Sequence, residues 1–122
     1  MSKEAGILKV EENGSEMCEL PPSSSFVLVR VPVRIAGEGA RGEATFRYSI
    51  GSFCGRDAAL ALREGLETTL RFRVPQELFR PRERFTVEVR AGRSPSPQKI
   101  LWTKRWEVAW RGQAPSLEPI AD

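Results

Sequence analysis

Phe26-Val27-Leu28-Val29-Arg30-Val31-Pro32-Val33-Arg34-Ile35 decides how the rest of this chain is read. Every odd position is β-branched: Val27, Val29, Val31, Val33 and Ile35. The even positions mix Phe26 and Leu28 with Arg30, Pro32 and Arg34. Successive side chains of a strand point to opposite faces, so this stretch presents one dry face and one partly wet face. β-Branched residues suit such a pleated, half-buried surface. Pro32 lacks a ladder donor, so the stretch is expected at a sheet edge or with a bulge.

Alternation recurs downstream. Ala44–Ile50 alternates around Phe46, Tyr48 and Ile50. Leu66–Val74 sets Leu66, Thr68, Leu70, Phe72 and Val74 against Thr69, Arg71 and Arg73. Phe85–Ala91 and Ile100–Trp110 follow, the last with Trp102, Trp106, Val108 and Trp110 on one side and Lys104 as the exception, where a bulge is expected. Five strands are therefore expected, separated by turn signals, which specifies an all-β, antiparallel sandwich.

Between them the sequence reads as connections. Asn13-Gly14 suggests a hairpin pairing Ile7–Glu12 with Ser15–Leu20, although Glu11 would then oppose Glu16. Asn13-Gly14-Ser15 is also a glycosylation sequon, and the turn reading is preferred. Pro21–Ser25 is a break. Gly37, Gly39 and Gly42 formally match G-x-G-x-x-G, but a strand follows where a nucleotide site needs a helix, so a hairpin loop is expected. Asp57 caps a short crossover helix over Ala58–Arg63, stopped at Gly65. Pro75–Arg80 reads as one helical turn closed by Pro81. The expected organisation is an N-terminal hairpin and Pro/Ser break over 1–25, a sandwich core over 26–111, and a flexible tail over 112–122.

Composition limits the chemistry. The chain has 122 residues, 40% hydrophobic and 29% charged, enough for one two-layer core. There is no histidine, which removes His-based acid–base catalysis and imidazole ligation. Cys18 and Cys54 are too few for a structural zinc site; they are either one disulfide or two free thiols. Asp57, Glu64 and Glu67 do not announce a paired-acid site, and Cys54 beside Arg56 has no histidine base. A non-enzymatic protein is expected, with no cofactor and no metal. No apolar run approaches a bilayer's width. Met1–Gly6 has no apolar leader, so a full-length chain would be cytoplasmic, while an excised domain leaves the compartment open.

The net charge of +3 is uneven: residues 1–25 hold two lysines and five glutamates, leaving +6 on the remainder. Fifteen of the 19 basic residues are arginine, whose planar fork suits carboxylate and phosphate.

The passage Leu70-Arg71-Phe72-Arg73-Val74-Pro75, Leu78-Phe79-Arg80-Pro81, Phe85-Thr86-Val87-Glu88-Val89 resembles the strand–turn–strand passage of immunoglobulin-like and fibronectin-III-like modules. The resemblance spans roughly residues 26–110 by pattern and lacks a Cys…Trp…Cys signature. It implies a binding or spacer module and transfers no site residue.

Two surfaces are candidates for binding. Arg30, Arg34, Arg47, Arg71, Arg73, Arg90 and Arg105 all lie opposite an apolar face and would form a basic surface if their strands shared a sheet. Otherwise they are solvated strand exteriors. Trp102, Trp106 and Trp110 would stack on sugars if exposed, and fill the core if not; the core is preferred. The Phe26–Ile35 edge could accept a partner strand. Ser94-Pro95 and Ser96-Pro97 read as an exposed loop. The expected function is protein–protein interaction through a strand edge or the arginine face, with carbohydrate binding as the alternative and nucleic acid disfavoured because aromatics are not interleaved with the charge.

Overall fold

The computed structural model describes residues 8–10, 17–36, 41–92 and 99–120. Their strands are β1 (Leu8–Val10), β2 (Cys18–Glu19), β3 (Phe26–Ile35), β4 (Arg41–Ile50), β5 (Phe53–Cys54), β6 (Ala58–Arg63), β7 (Glu67–Pro75), β8 (Arg84–Ala91), β9 (Ile100–Arg111) and β10 (Ala114–Pro119). All pairings are antiparallel. The five strands expected from alternation are present as β3, β4, β7, β8 and β9.

In the first sheet β3 is central. It pairs with β7 along one side, and with β2 and then β1 along the other. The second sheet runs β10, β9, β8, β4, with β5 and β6 sharing the far side of β4. The inner faces meet in one core that includes Val27, Val29, Val31 and Val33 from β3, Phe46 and Tyr48 from β4, Phe72 from β7, Phe85 from β8 and Trp106 from β9. The arrangement is consistent with a β-sandwich. Phe72 makes edge-on contacts with Phe46 at 5.6 Å and Phe85 at 5.7 Å, joining the sheets through aromatic rings.

Six expectations are corrected. First, β3 is not an edge. The bond from Ile35 N–H to Leu66 O places the odd residues of β3 against β7, so Pro32 turns its missing donor to the other side. There it falls between the Arg30 N–H bond to Met17 O and the β1 pairing at Val33. Second, β1 and β2 do not pair with each other; both lie against β3. The Asn13-Gly14 turn itself lies outside the described residues.

Third, β3 and β4 belong to different sheets and do not pair as the expected hairpin. Gly37–Ala40 lie outside the described residues. Fourth, Ala58–Arg63 is strand β6, and the helical content among the described residues is the 3-10 turn Gln76–Leu78, where Pro75–Arg80 was expected to turn. Six residues make too short a helix to hold itself. As a strand they gain a ladder with β4 and bury Leu60. Fifth, Ala114–Pro119 of the expected tail is strand β10.

Both β10 prolines are compatible with that pairing. Ile120 N–H bonds to Arg105 O, which fixes the alternation and leaves Pro115 and Pro119 at non-hydrogen-bonded positions. Their missing donors face away from β9, where none is needed. The β9 irregularity is also displaced from its expected place. Lys104 pairs regularly with Val87, and the extra residue is Leu101, between the pairs Val89–Trp102 and Arg90–Ile100. Lys104 lies on the inner side with its ammonium 5.9 Å from the Trp106 ring centroid.

Candidate binding edge and groove

The two sheets meet the solvent differently at their two lateral sides. On one side β10 lies against β2, and Met17 and Leu117 are both 1% exposed. The other side is formed by β7 in the first sheet and by β5 and β6 in the second. Beyond β7 no further strand is paired among the described residues.

The parity of β7 follows from the Ile35–Leu66 bond. Its even residues bond to β3, and its odd residues Thr69, Arg71 and Arg73 turn their backbone groups outward. One of those outward groups is used: Tyr48 Oη donates to Arg73 O at 3.4 Å across the sheets. The others find no backbone partner among the described residues. No proline interrupts β7 before Pro75.

A groove of about 370 Å³ runs along this edge. Phe46, Tyr48, Phe53 and Phe72 supply its apolar surface, and Arg56, Arg71 and Arg73 its charge. Tyr48 organises it. Its ring lies 6.0 Å from Phe53, 5.4 Å from Phe72 and 5.5 Å from Phe85. Burial pushes the Tyr48 hydroxyl's pKa up. Gly55 makes room for it, since a Cβ there would stand 2.7 Å from Tyr48 Cδ1. Gly55 sits in a one-residue register slip: Ser49 pairs with Cys54, whereas Phe46 pairs with Ala58, so three residues oppose two. That slip leaves Phe53 41% exposed at the groove.

The seven arginines divide between the two outer faces. Arg30, Arg34, Arg71 and Arg73 belong to the first sheet; Arg47, Arg90 and Arg105 belong to the second. The second set is compensated. Glu88 lies 3.5 Å from Arg47 and 2.8 Å from Arg90, bridging both. The first set is less so. Arg30 reaches Glu19 at 3.1 Å, but it also stands directly across from Arg71. Like charges directly opposite on a sheet are destabilising. Arg73 lies 4.6 Å over the Phe26 ring, a cation–π contact that needs no acid. Arg56, Arg71 and Arg73 have no acidic partner among the described residues.

The tryptophan row faces the interior. Trp106 is fully buried with its indole N–H unpaired, and Trp102 and Trp110 are half-buried against the core. Trp110 Nε1 donates to Phe79 O at 2.6 Å, clasping the 3-10 connection to β9.

Both cysteines are free thiols. Cys18 is buried in β2 and its pKa is pushed up to about 12, chiefly by desolvation, with Arg30 opposing. Cys54 is exposed in β5, beside a depression of about 50 Å³ shared with Arg47 and Glu88. Among the described residues no group of His, Cys, Asp or Glu is placed to hold a metal ion, and no helix is long and apolar enough to cross a membrane. A shallow recess of about 410 Å³ over β6 is floored by alanines and flanked by Glu43 and Asp57, opposite in charge to the β7 groove. The Ser-Pro pairs at 94–97 lie outside the described residues.

Sequence reading singled out Arg71 and Arg73 but assigned the open edge to β3, and it missed the groove made by Phe53 and Tyr48. The signal for the edge was present: β7 has an uninterrupted run from Glu67 to Val74 without proline. The groove had no comparable signal, because it depends on which edges the sheets leave side by side. No protein-family model, curated protein or solved structure matches the chain.

Proposed function

We propose that the chain is a non-catalytic, immunoglobulin-like binding module of the fibronectin-III-like kind, which takes a protein partner at the β7 edge and the adjoining arginines. The fold part of this reading is supported by strand order. With β3, β4, β7, β8 and β9 as strands B, C, E, F and G, B pairs E in one sheet and C, F and G are consecutive in the other. The strand between C and E, here β6, joins C rather than E.

The observation carrying the functional part is an edge open to pairing. Edge strands are usually blunted by charged side chains, prolines, bulges or a covering element. β7 carries Glu67, Arg71 and Arg73 but no proline, bulge or covering strand between Glu67 and Val74 among the described residues, and Arg71 and Arg73 flank its outward amides without an acidic partner among those residues. Such an edge supplies affinity through main-chain bonds and specificity through the neighbouring side chains.

The test compares wild type with Thr69→Pro, which removes one outward N–H and adds bulk to the edge. Thr69 stands at a non-hydrogen-bonded pair with Pro32, so its own sheet loses no bond. Proteins retained by immobilised wild type and lost with folded Thr69→Pro are then purified and reassembled with the domain. A defined complex that the variant cannot form is expected. Identical retention by both folded proteins overturns the reading.

A further inference from the structure

We infer that the occupant of the β7 edge is an extended acidic segment in which carboxylate and apolar side chains alternate, added to the first sheet as a further strand. This rests on the binding-module reading and specifies its partner chemistry.

Neighbouring residues across a sheet share a face. An added residue opposite Arg71 or Arg73 would therefore project onto the outer face, among guanidinium groups without acidic partners among the described residues. An added residue opposite Leu70 or Phe72 would project to the inner side. There the groove offers Phe46, Tyr48 and Phe53 beside Ala58, with Arg56 also in its lining. The two environments alternate with the strand period, so the fitting segment alternates too: carboxylate outward, apolar inward.

Charge disfavours the simplest competing occupant. A second copy docked by its own β7 about a two-fold near Arg71–Arg73 would bring those residues against the same residues of its partner. A carboxylate instead meets two planar forks and relieves the repulsion between Arg30 and Arg71.

The outward amides of Thr69, Arg71 and Arg73 and the carbonyls of Thr69 and Arg71 are the bonding groups offered. Arg73 O is already held by Tyr48. A segment of about five to seven residues spans them.

The experiment titrates the full chain with three seven-residue peptides: Glu alternating with Val and Phe, the same peptide with Lys for Glu, and the same composition with glutamates and apolar residues in separate blocks. Backbone amide shifts of residues 67–75 and dissociation constants are read at low and high salt. The alternating acidic peptide should shift those amides and bind at least about tenfold tighter than either control, with affinity falling as salt screens the charges. Folded Thr69→Pro should lose the shifts, and Arg71→Glu with Arg73→Glu should reverse the preference towards the Lys peptide.

Equal binding of the block peptide, or shifts retained in Thr69→Pro, overturns strand addition. Equal binding of the Lys peptide, or an oligonucleotide moving the same amides more strongly, overturns the acidic occupant. No shift at millimolar acidic peptide overturns the inference as a whole. If the reassembled partner complex still depends on Thr69 in that case, the binding-module reading survives without it.

Discussion

The two lateral sides of this molecule solve the same problem in opposite ways. Among the described residues each sheet ends in a strand whose outer backbone groups have no strand beyond them. On the β10 side, Pro115 and Pro119 occupy outward positions, so Leu117 is left as the outward donor between them, and the strand is pressed against β2. On the β7 side, successive outward positions are Thr69, Arg71 and Arg73, each with its N–H intact, and the inter-sheet gap is left as an aromatic groove. One side is sealed by proline and apolar packing; the other is open, polar along its edge and basic. Both sides are guarded, one by proline and packing and the other by charge, but only the charged edge keeps its successive amides able to bond a partner. The contrast is what singles out β7.

The largest expected effects are on stability and should separate the sides sharply. Leu117→Ala, on the sealed side, removes a side chain that is 1% exposed and should cost about 2–5 kcal/mol. Phe53→Ala, in the open groove, removes a larger but 41% exposed ring and should cost less than that. Urea unfolding of the two variants gives the comparison directly. A larger loss from Phe53 would mean that the groove is part of the core and not a vacancy for a partner.

Gly55→Ala comes next. Its Cβ would meet the Tyr48 ring, which packs against Phe72 and Phe85, so the ring must move or the β5–β6 slip must open. Overpacking of this kind costs about 1–3 kcal/mol. Weakened peptide binding should accompany it, because Tyr48 also holds Arg73 O. Denaturation midpoints together with amide shifts across residues 67–75 would reveal both effects.

The thiols sharpen the contrast chemically. Cys54 on the open side should react with an aromatic disulfide reagent at once, and Cys18 only on opening of the fold. The pKa of Cys18 is raised from 9.0 to about 12, so the folded state retains a proton that the unfolded state gives up. Its contribution is complete below about pH 9 and is lost between pH 9 and about 12, at up to about 1.4 kcal/mol per pH unit. Tyr48, also raised by burial, acts in the same direction at alkaline pH. Cys18→Ala should flatten the alkaline fall in stability, measured by denaturant titration across that range.

What could be read from the sequence divides along the same line. Alternation of period two located β3, β4, β7, β8 and β9, because each buries one face against a shared core and the pattern is local. The errors occurred where a local signal had two readings. Ala58–Arg63 suits a helix by composition, but Leu60 and Leu62 also alternate, and a six-residue helix cannot outweigh a ladder with β4. Pro115 and Pro119 signal irregular chain unless the hydrogen-bond parity is known, and parity is a property of the pairing. The site was least legible of all. Which arginines share a face depends on strand order, and no local feature places Arg47 and Arg90 around Glu88 while Arg30 stands across from Arg71.

The smallest predicted effect is also the most discriminating. Arg71→Thr removes one member of the direct Arg30–Arg71 pair and leaves a residue well suited to a strand. If the pair is a repulsion tolerated for binding, the variant should be slightly more stable than wild type, by about 0.2–1 kcal/mol at low salt. The gain should shrink as ionic strength rises, because screening relieves wild type by itself. Binding of the alternating acidic peptide should weaken in the same variant. Stability and affinity would then move in opposite directions from one substitution, as expected of a surface shaped for a partner. If Arg71→Thr is instead less stable at every salt concentration, Arg71 contributes through the packing of its stem along β7, and the open side has a structural reason for its arginines.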